Sequence, residues 1–206
     1  MTLFLSWKTH KNERLHGGIS VSPRVGLTQD HIIEQAFIIT EEKGLGHVTM
    51  ANLARELNVK SPSLYNHFKN LDEVKQRVTS KGLELLFHFL KQQAEASEKG
   101  PEMLQAIGNA YIAFADAHPK IYQACTSAPD PKDSRIVKAG EGIVQLVLEA
   151  LDPFPLSEKE KIHAVRGFRS LLHGLVDLDQ KGGFNLPLEM KDTQQFLLTT
   201  FIRGLE

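Results

Sequence analysis

The sequence predicts an all-α protein, and three observations support this prediction. From about residue 28 onward, apolar residues recur at intervals of three and four positions, the spacing that gives a helix one apolar face. Gly and Pro residues separate these periodic segments. No run of alternating β-branched residues, as expected for strands, occurs in the 206 residues. The length suffices for one large domain or two small ones.

The first two helices are predicted from their terminal residues. Thr28 is suited to be the N-cap of the first helix, and Gly44 is expected to end it. Thr49 is predicted to cap a short second helix that runs to about Leu57. Residues 1–26 show no sustained periodicity and contain several Gly and Ser residues, so we expect a flexible leader.

A third short helix is predicted directly after the second. Asn58 is expected to break the chain between them, because asparagine accepts a left-handed conformation. Ser61 as the cap and Pro62 at the first helical position would then start the third helix. This helix is predicted to run to about Phe68, with Leu64 and Phe68 on its inner face.

Larger helices are predicted in the rest of the chain. A long helix is expected over residues 71–97, with Leu85 and Phe89 on its apolar stripe, and Gly100-Pro101 breaks it. Further helices are predicted over residues 102–118, for a short turn after Pro119, and over residues 134–151, 158–180 and 191–205.

Composition excludes several classes of protein. The 24 Lys and Arg residues nearly balance 25 Asp and Glu residues, which excludes a histone-like polybasic chain and an acidic disordered tail. By segment, however, residues 1–81 hold 11 basic and 8 acidic residues, whereas residues 82–206 hold 13 and 17. The first part is therefore basic and the remainder acidic, which indicates two different roles.

The single cysteine and the short apolar runs favour a cytoplasmic protein. Cys125 alone can form neither an intramolecular disulfide nor a cysteine-based zinc site. No run approaches the roughly 18–20 apolar residues that cross a bilayer. The apolar residues 3–7 are too few for a signal peptide, and the basic residues follow them instead of preceding them. We therefore expect no membrane partner.

The segment from Thr49 to Phe68 has the layout of a helix-turn-helix, whose second helix can lie in the major groove of DNA. Residues that can bond phosphates and base edges are concentrated on its second half; they are Lys60, Ser61, Ser63, Tyr65, Asn66, His67 and Lys69. Tyr65 is expected to pack its ring and expose its hydroxyl. The layout alone also fits two packed helices of an ordinary bundle.

Residues 50–70 resemble the DNA-binding domain of TetR-type transcriptional regulators, and the resemblance extends over about residues 27–80. Its most specific part is the signature Ser63-Leu64-Tyr65-Asn66-His67-Phe68. Residues 168–175 are similar to a TetR subgroup that carries a Trp-His-Gly motif. In this sequence Leu172 occupies the position of the Trp.

The resemblance implies a domain organisation and residue roles. After the leader, residues 27–73 would form a three-helix DNA-binding domain, and residues 74–206 a larger helical domain that dimerises and binds an effector. Many members of the family have Lys at the position of Leu71, so Lys69 or Lys75 would replace that contact. Phosphates would be contacted by Thr49, Ser61, Tyr65 and Lys69, bases by Ser63, Asn66 and Lys60, and either by His67.

Basic residues of the leader provide a further candidate contact. Lys8, Lys11, Arg14 and Arg24 would suit an arm on phosphates or in the minor groove. An extension without any role in binding explains the same residues, and the sequence does not distinguish the two.

Aromatic and apolar residues of the second domain predict an effector pocket for a small, mostly apolar molecule. The candidate lining residues are Phe87, Tyr111, Phe114, Tyr122, Phe168, Leu172 and His173. Simple core packing explains the same residues. His173 and Asp177 are spaced i, i+4, but this spacing is common by chance, so no metal is predicted. Cys125 is interpreted as a packed residue, and no cofactor is expected.

The last two long helices carry apolar stripes that predict a four-helix interface with a second copy. The residues of the two stripes are Ile162, Val165, Phe168, Leu171, Leu172, Leu175 and Leu178, then Phe196, Leu197, Thr200 and Phe201. Burial of both stripes within one chain is the alternative. A two-fold axis is what a pseudo-palindromic operator requires.

The resemblance implies a homodimeric DNA-binding regulator, a repressor more than an activator, that leaves its operator when a small molecule binds. No Gly-rich phosphate loop, nucleophile elbow or Ser/His/Asp arrangement indicates an enzyme. Two alternatives stay open at this point: a helical adaptor that binds only protein, and a helical enzyme using His163, Arg166 and His173.

Overall fold

The computed structural model describes residues 26–126 and 130–206. These residues form nine α-helices and no strand, which confirms the predicted all-α class. The helices are α1 (Gln29–Lys43), α2 (Met50–Glu56), α3 (Ser61–Tyr65), α4 (Leu71–Glu95), α5 (Pro101–Ala117), α6 (Pro119–Thr126), α7 (Ser134–Leu151), α8 (Glu158–Gln180) and α9 (Met190–Arg203). A 3-10 turn, Leu45–His47, follows α1.

The predicted caps of the early helices are confirmed. Thr28 and Thr49 each accept a hydrogen bond from the backbone N–H three residues further on, which satisfies one free donor at each helix start. Asn70, for which no cap was predicted, does the same at the start of α4. Gly44 ends α1 with a positive φ of 92°. The helices other than α3 and α6 begin and end within two residues of the predicted positions, and the short turn predicted after Pro119 is an eight-residue helix.

The third helix differs from the prediction at both ends. Lys60, and not Ser61, is the N-cap: its backbone is extended, Ser61 is already helical, and no side chain caps this helix. At the other end the helix stops at Tyr65, where the N–H of His67 bonds the carbonyl of Leu64 three residues back and closes a tight turn. The helix is therefore five residues long.

Helix α4 is the central element and links the two halves of the chain. It packs against α1 at its beginning and against α5, α6 and α7 further along. The prediction that Leu85 lies on its buried stripe is wrong, since this side chain is 39% exposed and Leu86 is buried instead. A spacing of seven residues from Val78 drifts by about 20° around a straight helix, which turns Leu85 outward.

Glycines permit two close helix contacts. A Cβ at Gly82 of α4 would lie 2.6 Å from Sγ of Cys125 on α6, and one at Gly108 of α5 would lie 2.7 Å from Leu198 of α9. Both glycines are buried within their helices. They set how near α6 and α9 approach the core. Among the described residues no helix is sufficiently long and apolar to span a membrane.

Candidate nucleic-acid interface and effector cavity

Helices α2 and α3 form a helix-turn-helix, with Asn58 at the turn. Asn58 has a φ of 52°, the left-handed conformation that the sequence predicted. The turn is closed by bonds from Asn58 N to Arg55 O and from Val59 N to Ala54 O, 3.2 and 2.9 Å long. The tight reversal places α3 directly beside the end of α2.

One face of α3 is anchored in the core of the N-terminal helices. Leu64 and Phe68 are buried, as predicted, together with Leu53 of α2 and Val48 before it. Since these side chains hold α3 from one side, the opposite side is left to solvent. The direction of α3 is thus set by apolar packing and not by its polar residues.

The solvent-facing side of α3 carries most of the predicted DNA-binding side chains. Tyr65 is 56% exposed, so the expectation that its ring packs is wrong: Leu64 fills the inward position and turns Tyr65 outward. The exposed candidates are Lys60, Tyr65, Asn66 and Lys69, and the half-buried ones are Thr49, Ser61, Ser63 and His67. The structure brings all eight to the helix-turn-helix and the segments that flank it.

Some of these residues also have a structural role, which the sequence pattern did not indicate. The Thr49 hydroxyl accepts the N–H of Asn52 at 3.1 Å, as the cap of α2. The carbonyl of His67 accepts a 2.7 Å hydrogen bond from Nε2 of Gln29 in the first turn of α1. The end of α3 is therefore tied to the start of α1.

Two positions near this surface, Arg55 and Leu71, change which side chains could contact phosphates. Arg55, which the sequence analysis did not select, is exposed on α2, and its guanidinium donates to Oδ1 of Asn52 at 3.0 Å. Leu71 packs against the core as the first residue of α4. Lys69 is exposed and Lys75 half-buried. The sequence held no signal for Arg55, because only the fold shows which face of α2 is exposed to solvent.

The basic arm predicted for Lys8, Lys11, Arg14 and Arg24 lies outside the described residues. The structure describes the three-helix unit from residue 26 onward. The arm therefore stays a prediction.

A cavity of about 190 Å³ lies between α4, α5, α6, α7 and α8. Its wall is mostly aliphatic, with Tyr111, Phe168 and Leu172 among the lining residues. These are three of the seven residues predicted for an effector pocket. The other four lie elsewhere: Phe87 packs beside Gly142 of α7, and Phe114, Tyr122 and His173 do not line the cavity.

The α7 side of the cavity was missed by the sequence analysis. Ile136, Ile143, Val144 and Val147 line it, and so does Arg169 of α8. Aliphatic residues on a helix look alike whether they face a cavity or fill a core. No pattern in the sequence distinguishes the two.

A chain of hydrogen bonds runs from the cavity wall to the surface of α8. The hydroxyls of Tyr111 and Tyr122 are 3.1 Å apart, and the Tyr122 hydroxyl lies 2.6 Å from Nδ1 of His173. Burial raises the pKa of both phenols above the ordinary value. Both tyrosines therefore stay neutral, and His173 bonds within the fold as a partner of Tyr122.

The remaining candidate groups are accounted for by packing or ion pairs. Burial raises the pKa of the Cys125 thiol to about 12, so the sulfur is protonated and packed against α4. Asp177 is bonded to Nζ of Lys181 at 2.7 Å. No group of three His, Cys, Asp or Glu side chains suited to a metal occurs within the described segments.

The apolar stripes of α8 and α9 are divided between inside and outside. Phe168, Leu172 and Leu175 are buried within the chain. Ile162 and Leu178 of α8 and Phe196 of α9 are exposed, the last at 68%. Of the other stripe residues, Thr200 is exposed, and Val165, Leu171, Leu197 and Phe201 are half-buried.

Comparison with known proteins places the chain in a family. A profile described as "Bacterial regulatory proteins, tetR family" matches residues 32–77. A second, "Tetracyclin repressor-like, C-terminal domain", matches residues 104–201. An uncharacterised HTH-type transcriptional regulator of Bacillus subtilis (strain 168), YobS, is 36% identical over 186 residues, which cover 90% of this chain and 96% of that protein. The chain belongs to the tetR family. It is a transcriptional regulator of that family.

A more distant relative has a more specific name. The biofilm operon icaADBC HTH-type negative transcriptional regulator IcaR of Staphylococcus epidermidis is 24% identical over 108 residues, or 52% of this chain and 58% of that protein. Its name states that it is a negative regulator.

Solved structures share the fold. A protein of unknown function from Rhodococcus sp. RHA1 superposes with a TM-score of 0.76 at 20% identity, covering 90% of this chain and 99% of that one. A single-residue variant of TetR from Acinetobacter baumannii AYE, in complex with minocycline, has a TM-score of 0.60 at 19% identity, covering 86% and 96%.

The two profile matches cover the helix-turn-helix and most of the cavity wall separately. All eight candidate DNA-binding residues lie within residues 32–77. Tyr111, Phe168, Arg169 and Leu172 of the cavity wall lie within residues 104–201. The helix-turn-helix and the cavity are thus separate regions of the family fold, and α4 connects them.

Proposed function

We propose that this tetR-family regulator is a homodimeric repressor that binds a pseudo-palindromic operator and releases it when a small apolar effector binds. The observation that carries the proposal is the outward position of Tyr65 on α3, opposite the buried Leu64. A large aromatic residue held in solvent on the second helix of a helix-turn-helix is suited to contact a nucleic-acid surface.

The proposed contacts are of two kinds: contacts to phosphates, which position the protein on DNA, and contacts to base edges, which recognise the sequence. Lys69 and Arg55 are exposed cations around α3, suited to phosphate oxygens, whereas the exposed Lys60 would face the bases. Asn66 and Ser63 would reach base edges, where amide and hydroxyl groups discriminate between bases. Thr49 and Ser61 would bond phosphates through their hydroxyls. His67 would contact either a phosphate or a base. Because Leu71 packs inward, Lys69 would supply the phosphate contact at the start of α4.

A second copy of the chain is part of the proposal. The exposed apolar side chains Ile162 and Leu178 of α8 and Phe196 of α9 would be buried between protomers as a four-helix interface. Two-fold symmetry would place two α3 helices on one side of DNA, in half-sites about one helical turn or more apart. This pairing also doubles the modest basic surface that meets the operator.

Release of DNA requires that the effector prefers one conformation. A ligand between α4 and α8 would favour an arrangement in which the two α3 helices are wrongly spaced for the operator. The minocycline complex of a protein with this fold supports a small-molecule site. The negative regulator among the relatives supports repression.

The remaining parts of the proposal follow from the fold family. We infer a DNA-binding domain over residues 27–73 and an effector-binding domain over residues 74–206, although α4 continues across that boundary. The inferred relation to the Trp-His-Gly subgroup rests on His173 and Gly174, with Leu172 in place of the Trp. A regulator that binds chromosomal DNA would act in the cytoplasm.

A gel-shift titration against DNA upstream of its own gene tests the proposal. Specific binding that weakens steeply with salt is expected. The double variant Tyr65→Ala, Lys69→Ala should lose binding at least tenfold, whereas Lys138→Ala, an exposed lysine on α7, should not. Equal binding by all three proteins, or no dependence on salt, contradicts the proposal.

A further inference from the structure

We propose that the effector cavity takes a compact apolar monocarboxylate, whose anionic group is bound by Arg169. The inference rests on the proposed function only in that it concerns the same effector site. It specifies the chemistry of the ligand, which neither the fold nor the relatives indicate.

The size of the cavity limits the ligand to a small molecule. Its volume is about 190 Å³, slightly more than the roughly 150 Å³ of an engineered apolar cavity that binds benzene. A single aromatic ring or a short aliphatic chain therefore fills it. Aliphatic side chains from α4, α5, α7 and α8 form most of the wall, so the body of the ligand must be apolar.

One charged residue lines the cavity, and it is a cation. Arg169 of α8 is part of the wall, and no Asp or Glu of the described residues is. Within residues 26–126 and 130–206, Arg169 has neither an ion pair nor a hydrogen bond. An unpaired guanidinium presents donors in a planar fork that matches a carboxylate. A cationic ligand is disfavoured by the same charge.

The polar groups nearest to Arg169 support an anion at this end of the cavity. The guanidinium lies close enough to Tyr111 and Tyr122 to oppose the effect of burial on the pKa of both phenols. The Thr126 hydroxyl already donates to the carbonyl of Tyr122 at 3.1 Å. The Tyr111 hydroxyl is the second donor that could turn toward the ligand, with Tyr122 then donating to Tyr111.

The acidic character of the larger domain does not exclude an anionic ligand. Residues 82–206 carry four more acidic than basic residues. Exposed charges are screened beyond about 8–10 Å at physiological ionic strength. Arg169 is also exposed, but it lies at the cavity wall, well within this distance of a bound ligand. The anionic group of the ligand would therefore respond mainly to Arg169.

A second, larger cleft is less suited to such a ligand. It lies between α5, α8 and α9, with a volume of about 460 Å³. Asp116 and Asp179 line it against one cation, Lys191. Gln194 donates to Asn109 across it at 3.1 Å. Paired polar groups and two carboxylates make this cleft unfavourable for an apolar anion.

Thermal shift and isothermal titration of the full chain test the proposal with four probes. Benzoate and hexanoate are the carboxylates, and benzyl alcohol and hexanol are neutral molecules of similar shape. The carboxylates should raise the Tm in a concentration-dependent way and bind roughly tenfold more tightly than the alcohols. Equal affinity for acids and alcohols overturns the proposal, as does no binding of either.

Three variants locate the binding. Arg169→Met should remove the preference for carboxylates while keeping weak binding of both classes. Arg166→Met, an exposed arginine on the same helix that does not line the cavity, should behave like the parent protein. Gly140→Leu should abolish binding of all four probes, because a Cβ at Gly140 meets no atom within 4 Å and the side chain would fill the cavity.

The variants also separate this proposal from the one on which it rests. An unchanged preference in Arg169→Met overturns the carboxylate proposal, because the charge would then act elsewhere. No DNA is present in these titrations. A protein that binds benzoate but no DNA would contradict the proposed regulation alone, and one that binds DNA but prefers the alcohols would contradict the ligand class alone.

Discussion

Nδ1 of His118 lies 2.5 Å from Oε1 of Glu41, and this contact joins the start of α6 to the end of α1. Both side chains are largely buried, at 16% and 19% exposed. Next to them, Nζ of Lys120 donates to the carbonyl of Glu42, at the negative end of α1. Since Cys125 and Thr126 of the same helix line the cavity, α6 touches both the cavity and the N-terminal helices.

The contact predicts a measurable coupling between α1 and α6. A double-mutant cycle of His118→Ala and Glu41→Ala should give an interaction free energy between about 0.5 and 3 kcal/mol, as expected for mostly buried partners. Urea unfolding of the four proteins measures it. The exposed pair Lys91–Glu95 on α4 is the matched control and should couple by less than about 0.5 kcal/mol. Additive effects at positions 118 and 41 would contradict the prediction.

The close approach of α4 and α6 predicts an unusual cost for alanine at Gly82. In an open helix, Gly→Ala stabilises by up to about 1 kcal/mol. Here the new Cβ would lie 2.6 Å from Sγ of Cys125 and 3.0 Å from Ile121, so Gly82→Ala should destabilise the protein by roughly 1–3 kcal/mol. Urea unfolding would measure the change.

A second variant identifies the cause of that cost. In Cys125→Ala the sulfur is absent, so adding Gly82→Ala should cost less than it does in the parent protein. Ile121 stays 3.0 Å from the new Cβ, and the rescue is therefore expected to be partial. If the two substitutions were additive, the sulfur contact would not be the origin of the strain.

The buried thiol predicts how stability and reactivity depend on pH. Burial raises the pKa of Cys125 from 9.0 to about 12, so the folded state holds the proton more tightly than the unfolded state. This contribution to stability is complete below pH 9 and is lost as the pH rises from 9 toward 12. Iodoacetamide should label the native protein far more slowly at about pH 8 than a cysteine peptide.

Unfolding provides the control for the thiol prediction. In urea the thiol should react at the rate of the peptide, and Cys125→Ala should incorporate no label. Labelling of the native protein at the peptide rate would mean that the cysteine is accessible, contrary to its burial.

The cap of α2 predicts a structural cost that is separate from any role on DNA. The Thr49 hydroxyl accepts the N–H of Asn52 at 3.1 Å. Thr49→Ala should therefore destabilise the fold by about 1 kcal/mol, whereas Thr49→Ser keeps the oxygen and should be nearly neutral. Thermal unfolding without DNA measures both. An equal loss in the two variants would assign the effect to the methyl group instead of the cap.

Local sequence patterns predicted the helix-turn-helix closely, because the signals lie within a few residues of the structures they determine. Thr49, Asn58 and Leu64 each act through neighbours on the same or the adjoining turn. Helix α3 was predicted too long, since the N–H of His67 bonds the carbonyl of Leu64 three residues back and tightens the chain into a turn.

Features that depend on how distant helices cross could not be predicted in this way. His118 and Glu41 are 77 residues apart, and Gln29 reaches His67 across 38 residues. Arg169 lines the cavity only because α8 presents that face to α7. In the sequence, Arg169 and Arg166 are equivalent cations, and only the packing distinguishes them.

The two kinds of proposed DNA contact predict different effects of substitution. Lys69 is an exposed cation beside the end of α3, suited to a phosphate. Lys69→Ala should weaken binding to all sequences alike and reduce the slope of log K against log salt by about 1 per protomer. Asn66 is exposed on the outer side of α3. Asn66→Ala should leave the slope unchanged and relax selection at one base pair of each half-site, at a cost of about 1–3 kcal/mol.

Gel-shift titrations at several salt concentrations, with operators substituted one base pair at a time, distinguish these effects. Lys138→Ala on α7 should reproduce the parent slope and the parent preference. A change of base preference in Lys69→Ala would contradict its proposed phosphate contact. A change of salt slope in Asn66→Ala would contradict its proposed base contact. If neither variant altered binding, α3 would not be the helix that contacts DNA, even though its outer face presents Tyr65 and Asn66 to solvent.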